Sequence, residues 1–212
     1  MQRHLTPEIL DSLAPDDPRA LRSRRDLQCI NALMRGHHWI LRELTALDRQ
    51  DSLQKVVELG AGTGEFTNRM AVALPQAEVW GVDLISPPST LHPRAQWHQG
   101  DLFGYRAYGS DTVVVANLFI HHLTHEALQE LAELLQDVRA IIFAEPHRSK
   151  VAKAMGYVMY PFVNEVTKHD MIVSIEAGFV RGELEQYFGD AFSIEESLGL
   201  CGGLRTKGMR RL

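Results

Sequence analysis

Positions 56–66 are Val56-Val57-Glu58-Leu59-Gly60-Ala61-Gly62-Thr63-Gly64-Glu65-Phe66, an apolar run that leads into three alternating glycines. The apolar run predicts a buried strand over 55–59, and the pattern after the glycines predicts a helix over 65–74. Glycine has no Cβ atom, so the backbone of the loop can turn sharply and approach a ligand closely. In open α/β sheets ligands collect at the carboxyl ends of strands, so this loop is a candidate small-molecule site.

Strands and helices alternate after this loop. Further strands are predicted at 78–82, 95–99, 112–116 and 140–144, with a helix at 124–135. Such alternation is typical of parallel strands joined by crossovers, with helices on both faces of the sheet. The rhythm then changes. Residues 147–188 have helical patterns, and two final strands at 192–195 and 204–212 are predicted to form a hairpin.

Residues 1–50 are polar, rich in arginine and helical in pattern. An N-cap at Thr6 followed by Pro7 predicts a first helix, and Asp17 with Pro18 predicts the start of a second. Gly36 is expected to end that second helix, and an apolar stripe predicts a third. We therefore expect an N-terminal helical cap over 1–50 and a main domain over 51–212.

Length, charge and cysteine content exclude several classes of function. The 212 residues carry a net charge of -5, which counts against a nucleic-acid backbone as the main partner. The mean hydropathy is -0.16, and no apolar run approaches the length of a membrane-spanning helix. Cys29 and Cys201 offer neither a disulfide framework nor zinc-ligand spacing. We expect a cytoplasmic protein that binds a small molecule, without nucleic acid or membrane as a partner.

Acidic residues around the glycine loop indicate which nucleoside it binds. Asp83 ends the second predicted strand, where a carboxylate can accept hydrogen bonds from both ribose hydroxyls. A dinucleotide fingerprint requires a small residue at position 65, where this chain has Glu65. That carboxylate is unfavourable beside a pyrophosphate, whereas a positively charged sulfonium tolerates Glu58 and Glu65. The loop therefore favours S-adenosylmethionine over a nicotinamide dinucleotide.

Residues 53–146 resemble the class I S-adenosylmethionine-dependent methyltransferases. The glycine motif matches at 58–64, the ribose-binding acid at Asp83, the adenine-contacting acid at Asp101, and the segment after strand four at 117–123. The resemblance implies a Rossmann-like, mostly parallel sheet of seven strands with an antiparallel last strand. It also implies S-adenosylmethionine as the cofactor. The cofactor-binding residues expected on this basis are Glu58, Gly60, Gly62, Gly64, Asp83, Leu84, Asp101, Leu102 and Asn117.

The segment Asn117-Leu118-Phe119-Ile120-His121-His122-Leu123 is similar to small-molecule methyltransferases of the ubiquinone and menaquinone group. The combination of Arg25-Asp26-Leu27 with residues 169–175 resembles methyltransferases linked to bacterial polyketides. The N-P-P-[YF] motif of amino-methylases that act on nucleic acids or protein glutamine is missing. The resemblance therefore implies O- or C-methylation of a small aromatic or apolar metabolite. The alternatives are a catalytically inactive S-adenosylmethionine-binding regulatory module and a nicotinamide-dependent oxidoreductase.

Three histidines are candidate catalytic bases. His121 and His122 follow strand four, and His169 precedes Ser174 in the later helical region. If the acceptor is a hydroxyl, a neutral imidazole can take its proton. Consecutive side chains at strand spacing point apart, so at most one of the adjacent pair is expected to face the site. Alternatively the pair caps its loop and His169 caps a helix. No H-x-x-x-H pair lies on a predicted helix, so no catalytic metal is expected.

A cluster of methionines and aromatic residues at 155–162 has two interpretations. It either packs in the core or forms a flexible apolar substrate pocket. Its position after the fifth strand favours the second interpretation, with Tyr157, Tyr160 and Phe162 as substrate-binding residues. Residues 147–188 would then form a lid over the cofactor cleft.

Overall fold

The computed structural model describes residues 1–14 and 16–211, apart from the side chain of Leu200. It contains one seven-stranded sheet with the order β3-β2-β1-β4-β5-β7-β6. The strands are β1 (Lys55–Leu59), β2 (Glu78–Asp83), β3 (Ala95–Gln99), β4 (Thr112–Asn117), β5 (Ala140–Pro146), β6 (Phe192–Leu198) and β7 (Gly203–Arg210). Strands β1 to β5 pair in parallel, and β7 runs antiparallel to both β5 and β6. The predicted Rossmann-like α/β fold is confirmed, including its antiparallel last strand.

Helices cover both faces of this sheet and its carboxyl edge. They are α1 (Ile9–Ser12), α2 (Pro18–Met34), α3 (Gly36–Gln50), α4 (Glu65–Ala73), α5 (His125–Leu135), α6 (Lys150–Met159), α7 (Glu165–Ala177) and α8 (Glu185–Phe188). Side-chain caps fix several of these starts: Asp17 accepts a hydrogen bond from the N–H of Arg19, and Thr124 from that of Ala127. None of the described helices is long and apolar enough to cross a membrane.

The middle strands are buried on both faces because each face has its own hydrophobic core. Val113 and Val115 of β4 pack with α3 and α4, whereas Val114 and Ala116 pack with α5 and α8. All seven residues of β5 are buried. This double burial explains why β4 and β5 are continuous apolar runs rather than alternating ones.

The N-terminal helices differ from the sequence expectation. The first is only the single turn α1, which begins at Ile9 rather than at Pro7. Helix α2 ends at Met34, and its C-cap Arg35 adopts a left-handed conformation with φ of 56°. Gly36 begins α3 instead of ending α2. The glycine is needed for packing, because a Cβ there would lie 2.1 Å from Oδ1 of Asn117.

The hairpin strands also differ slightly from the predicted bounds. Strand β6 extends beyond the predicted 192–195 to Leu198, and β7 begins at Gly203. The predicted end of the last strand, Leu212, lies outside the described residues.

The N-terminal segment, residues 1–14, lies at the carboxyl edge of the sheet. The N–H groups of Ile9 and Leu10 donate to the carboxylate of Asp170 on α7 at 2.8 and 3.0 Å. The guanidinium of Arg3 donates to the carbonyl oxygens of His121 and Leu123, both at 2.8 Å. This segment therefore contacts the loop that follows β4.

Candidate active site

The glycine loop is anchored to the end of β2. The N–H groups of Gly60 and Ala61 both donate to the carbonyl oxygen of Val82, at 2.9 and 3.2 Å. Gly60 and Gly62 have φ values of 66° and 52°, which favour glycine. A Cβ at Gly60 would strike the ring of Phe119, whereas one at Gly62 would meet nothing within 4 Å. The loop therefore leaves its second glycine open to a ligand.

Asp83 is oriented by two backbone groups. The N–H of Gly62 donates to Oδ2 at 2.7 Å, and that of Ile85 donates to Oδ1 at 3.1 Å. Each carboxylate oxygen can accept a further hydrogen bond. The next residue, Leu84, is 72% exposed. A half-buried carboxylate beside exposed apolar surface suits a ribose with a base attached to it.

The third strand brings a second acidic residue to the same edge. The N–H of Gly100 donates to the carbonyl oxygen of Asp83 at 2.8 Å, which ties the ends of β2 and β3 together. Asp101 follows, and its Oδ1 accepts the N–H of Phe103 at 2.9 Å. Asp101 is exposed, whereas Leu102 is buried in the core beneath it.

Glu58 lies apart from the other predicted cofactor residues. Its side chain is 4% exposed and accepts a hydrogen bond from the hydroxyl of Thr67 on α4. Burial, and then the nearby charge of Asp83, raise the pKa of Glu58 to about 8. The carboxyl group therefore joins β1 to α4 in the core. The ends of β1 to β4 bring together the other eight residues: Gly60, Gly62, Gly64, Asp83, Leu84, Asp101, Leu102 and Asn117.

A cavity of about 380 Å³ adjoins this edge at Asn117 and Leu118. Helices α2, α6 and α7 and the N-terminal segment form its walls. Its apolar lining consists mainly of Leu27, Ile30, Leu33, Met34, Met155, Val158, Met159, Met171 and Ile175. Its polar lining includes Glu8, His121, His122 and Ser174. The cavity thus combines a broad apolar wall with a small polar group.

His121 is held by Glu145 at the end of β5. Its Nδ1 lies 2.7 Å from Oε2 of Glu145, whose Oε1 accepts the N–H groups of Phe119 and Ile120 at 3.0 and 3.1 Å. Burial alone lowers the pKa of His121, but interactions with Glu145 and Glu8 outweigh it and raise the pKa to about 9. The two carboxylates therefore favour the charged form of this imidazole.

His122 lines the same cavity. Its Nε2 lies 3.9 Å from Oε1 of Glu8, and the two imidazole centroids are 4.2 Å apart. Burial and the neighbouring His121 lower the pKa of His122. The expectation that only one of the pair faces the site is wrong, because Ile120–His122 form a 3₁₀ turn, in which consecutive side chains do not alternate as in a strand.

The other predicted residues lie away from this polar group. His169 is exposed on α7, where its Nδ1 lies 2.9 Å from Oδ1 of Asp170. Tyr157, Tyr160 and Phe162 are not among the described residues that line the cavity. Of the three, only Tyr157 belongs to α6, and that helix instead turns Met155, Val158 and Met159 toward the cavity.

Glu8 and Ser174 are cavity residues that the sequence reasoning missed. The hydroxyl of Ser174 donates to Oε1 of Glu8, which holds the N-terminal segment against α7. Glu8 belongs to no motif, and the contact joins segments far apart in the chain. No local pattern could have revealed it.

Comparisons with known proteins bear on the fold. No protein-family model matches the chain, and no curated protein matches it. Among solved structures, the plantazolicin methyltransferase BpumL in complex with SAH is similar, with a TM-score of 0.73 and 12% identity over 93% of this chain and 92% of that one.

Two other solved structures are similar to this chain over a smaller share of their own length. The pyocyanin biosynthetic protein PhzM has a TM-score of 0.64 and 18% identity, over 96% of this chain and 62% of its own. A putative O-methyltransferase from Nostoc punctiforme has a TM-score of 0.64 and 16% identity, over 96% and 64% respectively. Together with the strand order, these likenesses show that the chain has the fold of the class I S-adenosylmethionine-dependent methyltransferases.

Proposed function

We propose that this protein transfers a methyl group from S-adenosylmethionine to a small acceptor bound in the cavity beside His121 and His122. The observation that carries the proposal is the junction at Asn117 and Leu118, where the edge that bears Gly62 and Asp83 meets the cavity. A donor on that edge and an acceptor in the cavity would be neighbours.

The residues at the edge suit this cofactor. Asp83 has free acceptor capacity for ribose hydroxyls, Leu84 offers apolar surface to a base, and Gly62 leaves room for close approach. Glu65 occupies the position where a dinucleotide site needs a small residue, which counts against a nicotinamide cofactor. When bound, S-adenosylmethionine supplies a methyl group already activated by a sulfonium.

The cavity favours an acceptor with an apolar or aromatic body and a single polar end. Its volume of about 380 Å³ is within the usual range for small-molecule sites, and aliphatic and methionine side chains make up most of its wall. Glu8, His121 and His122 would hold the polar end. Because the reaction is an in-line displacement, holding the acceptor in place can contribute roughly 7–11 kcal/mol to lowering the barrier. Both O- and C-methylation suit this arrangement.

We further propose that residues 1–50 and 147–188 act as a cover over the cleft. The contacts of Arg3 with the loop after β4 and of Ile9 with Asp170 hold the N-terminal segment across the cavity. Such a cover must open for product release. Limited proteolysis should cut within 1–40 or 147–170 in the free protein, and S-adenosylhomocysteine should slow the cutting. Equal resistance with and without ligand would contradict the cover.

Mass spectrometry of reaction products tests the transfer itself. The protein would be incubated with S-adenosylmethionine that carries a trideuterated methyl group and with a panel of phenols, quinols and larger aromatic metabolites. We expect one class of acceptor to gain the labelled methyl, with S-adenosylhomocysteine formed in equal amount. Asp83→Ala should abolish the signal at limiting cofactor. Binding of S-adenosylhomocysteine without transfer to any compound would favour the inactive regulatory module.

A further inference from the structure

We propose that Glu8, His121 and His122 bind a divalent transition-metal ion at the polar end of the cavity. One ligand atom from each residue lies within 4.8 Å of the other two. Oε1 of Glu8 is 4.0 Å from Nε2 of His121 and 3.9 Å from Nε2 of His122. Three possible ligand atoms from two distant parts of the chain thus converge on one point.

The orientation of His121 points to a ligand at this place. A carboxylate can only accept, so the contact with Glu145 keeps a proton on Nδ1. Nε2, on the other side of the ring, faces Glu8, and a metal ion that displaces the Nε2 proton would bind the lone pair left there. The side chain is 2% exposed, and Nε2 has no hydrogen-bond partner among the described residues. A histidine that donates its second N–H to a carboxylate is the usual arrangement behind a metal ligand.

The distances suit a metal after a small contraction. Metal–ligand bonds of about 2.0–2.2 Å with tetrahedral angles place ligand atoms ~3.4 Å apart. The observed separations of 3.9 and 4.0 Å exceed that value by well under 1 Å. Glu8 belongs to the N-terminal segment, so a small shift of that segment would close the difference.

The ligand types select the class of metal. Two imidazoles and one carboxylate suit Zn²⁺, Co²⁺ or Fe²⁺, whereas Mg²⁺ and Ca²⁺ prefer oxygen ligands. The remaining coordination positions would face the cavity, as in catalytic rather than structural sites. The expectation of no metal rested on the lack of a helical H-x-x-x-H pair, a pattern that cannot reveal ligands from separate segments.

A metal here would have a consequence that rests on the proposed function. An acceptor hydroxyl bound at the open position would lose its proton more readily, because a divalent cation stabilises the resulting oxyanion. The O–H bond would break, the proton would leave to solvent, and the oxygen would keep the electron pair with which it attacks the methyl carbon. As the O–C bond forms, the methyl–sulfur bond would break and the sulfur would keep that electron pair, which gives S-adenosylhomocysteine. His121 would then act as a ligand and not as a base.

Titration with Co²⁺ tests the site without any acceptor. The full chain, free of affinity tags and treated with a chelator, would be titrated with Co²⁺ while its visible absorption is recorded, and Zn²⁺ would then be added as a competitor. We expect one Co²⁺ per chain, displaced by Zn²⁺. Glu8→Gln and His122→Gln should weaken binding roughly 100-fold or more, and the positioning variant Glu145→Gln roughly 10- to 100-fold.

Matched controls separate this site from surface binding. His125→Gln and Glu126→Gln change two exposed residues at the start of α5 and should leave Co²⁺ binding unchanged. Lack of Co²⁺ binding by the wild type, or equal binding by wild type, Glu8→Gln and His122→Gln, would overturn the proposal. S-adenosylhomocysteine binding, measured on the same samples, reports folding and the cofactor site. If it persists while Co²⁺ binding fails, only the metal site is refuted.

Discussion

The backbone N–H of Gly62 donates to the carboxylate of Asp83 at 2.7 Å, so the most open glycine of the loop and the acidic end of β2 form one unit. The same carboxylate also accepts the N–H of Ile85. A ligand that touches one member of this unit therefore depends on the position of the other.

Replacing Asp83 should weaken cofactor binding. Asp83→Ala removes the proposed ribose acceptor and the anchor of Gly62, and should cost roughly 1.5–3 kcal/mol, as expected for hydrogen bonds to a charged group. Asp83→Asn keeps one oxygen acceptor, so its affinity for the cofactor should lie between those of the wild type and Asp83→Ala. Calorimetry with S-adenosylhomocysteine measures both. Asp190→Ala, at an exposed position, is the control. Equal affinity in wild type and both Asp83 variants would place the cofactor elsewhere.

Two glycines with matching geometry separate backbone strain from ligand contact. Gly62 and Gly182 have φ values of 52° and 78°, and a Cβ at either would meet nothing within 4 Å. Alanine at each should therefore cost a similar ~1 kcal/mol of stability, measured by thermal unfolding. Only Gly62→Ala should also weaken S-adenosylhomocysteine binding. An equal loss of affinity in Gly182→Ala would show that strain alone explains the effect.

Changing either histidine of the adjacent pair should lower turnover. If the acceptor is a hydroxyl, His121→Gln or His122→Gln removes an imidazole that helps the hydroxyl to lose its proton, either as a base or as a metal ligand. A loss of about 10²–10⁴ in rate is typical of a group that assists proton transfer. Cofactor affinity should stay nearly unchanged, since neither side chain forms part of the Gly62–Asp83 unit. His169→Gln, at an exposed position outside the cavity, should have a much smaller effect. A larger loss of turnover in His169→Gln than in His121→Gln and His122→Gln would instead favour His169 as the catalytic residue.

Two positions in the α6 region distinguish the cavity from the aromatic cluster. Met155 lines the cavity, whereas Phe162 is 71% exposed and does not. Met155→Trp should fill part of the cavity and raise the KM for the acceptor several-fold. Phe162→Ala should leave KM unchanged. A raised KM in Phe162→Ala with an unchanged KM in Met155→Trp would instead support the expectation that Tyr157, Tyr160 and Phe162 bind the substrate.

Glu58 should make stability fall as pH rises. Its pKa is raised from 4.5 to about 8 in the folded protein, so between these values the folded state holds a proton that the unfolded state has lost. The free energy of unfolding should then decrease by ~1.4 kcal/mol per pH unit because of this one group. Glu58→Gln should remove this contribution. Urea unfolding of both proteins from pH 5 to pH 8 measures the slopes, and identical slopes would contradict the raised pKa.

The sheet was predictable because its strands carry their own signal. Strands β1, β4 and β5 are short, largely apolar runs, whereas β2 and β3 carry a weaker signal. Five glycine or acidic positions at or after the ends of β1, β2 and β3 are in register with a known family pattern. Helix α6 shows the limit of this reasoning. The aromatic residues in it and just after it were conspicuous, but packing of Gly156 against Ile172 and Ile175 of α7 decides which face of α6 meets the cavity. The residues of α6 alone do not predict which of its faces meets the cavity, because that depends on contacts with α7.

The polar cluster shows the same limit over a longer distance. The histidine pair was visible in the sequence, but its partners Glu8 and Glu145 come from other segments of the chain. The raised pKa of His121 and the lowered pKa of His122 depend on burial and proximity, which only the folded chain defines.

Calorimetric titration with S-adenosylhomocysteine, run beside an identical titration with NAD, measures whether the edge formed by Gly62, Asp83 and Asp101 is a methyltransferase cofactor site. We predict one S-adenosylhomocysteine bound per chain with micromolar affinity, no heat with NAD, and an affinity that is weakened by roughly 1.5–3 kcal/mol in Asp83→Ala and unchanged in Asp190→Ala. Heat with NAD and none with S-adenosylhomocysteine would contradict the proposed methyl transfer.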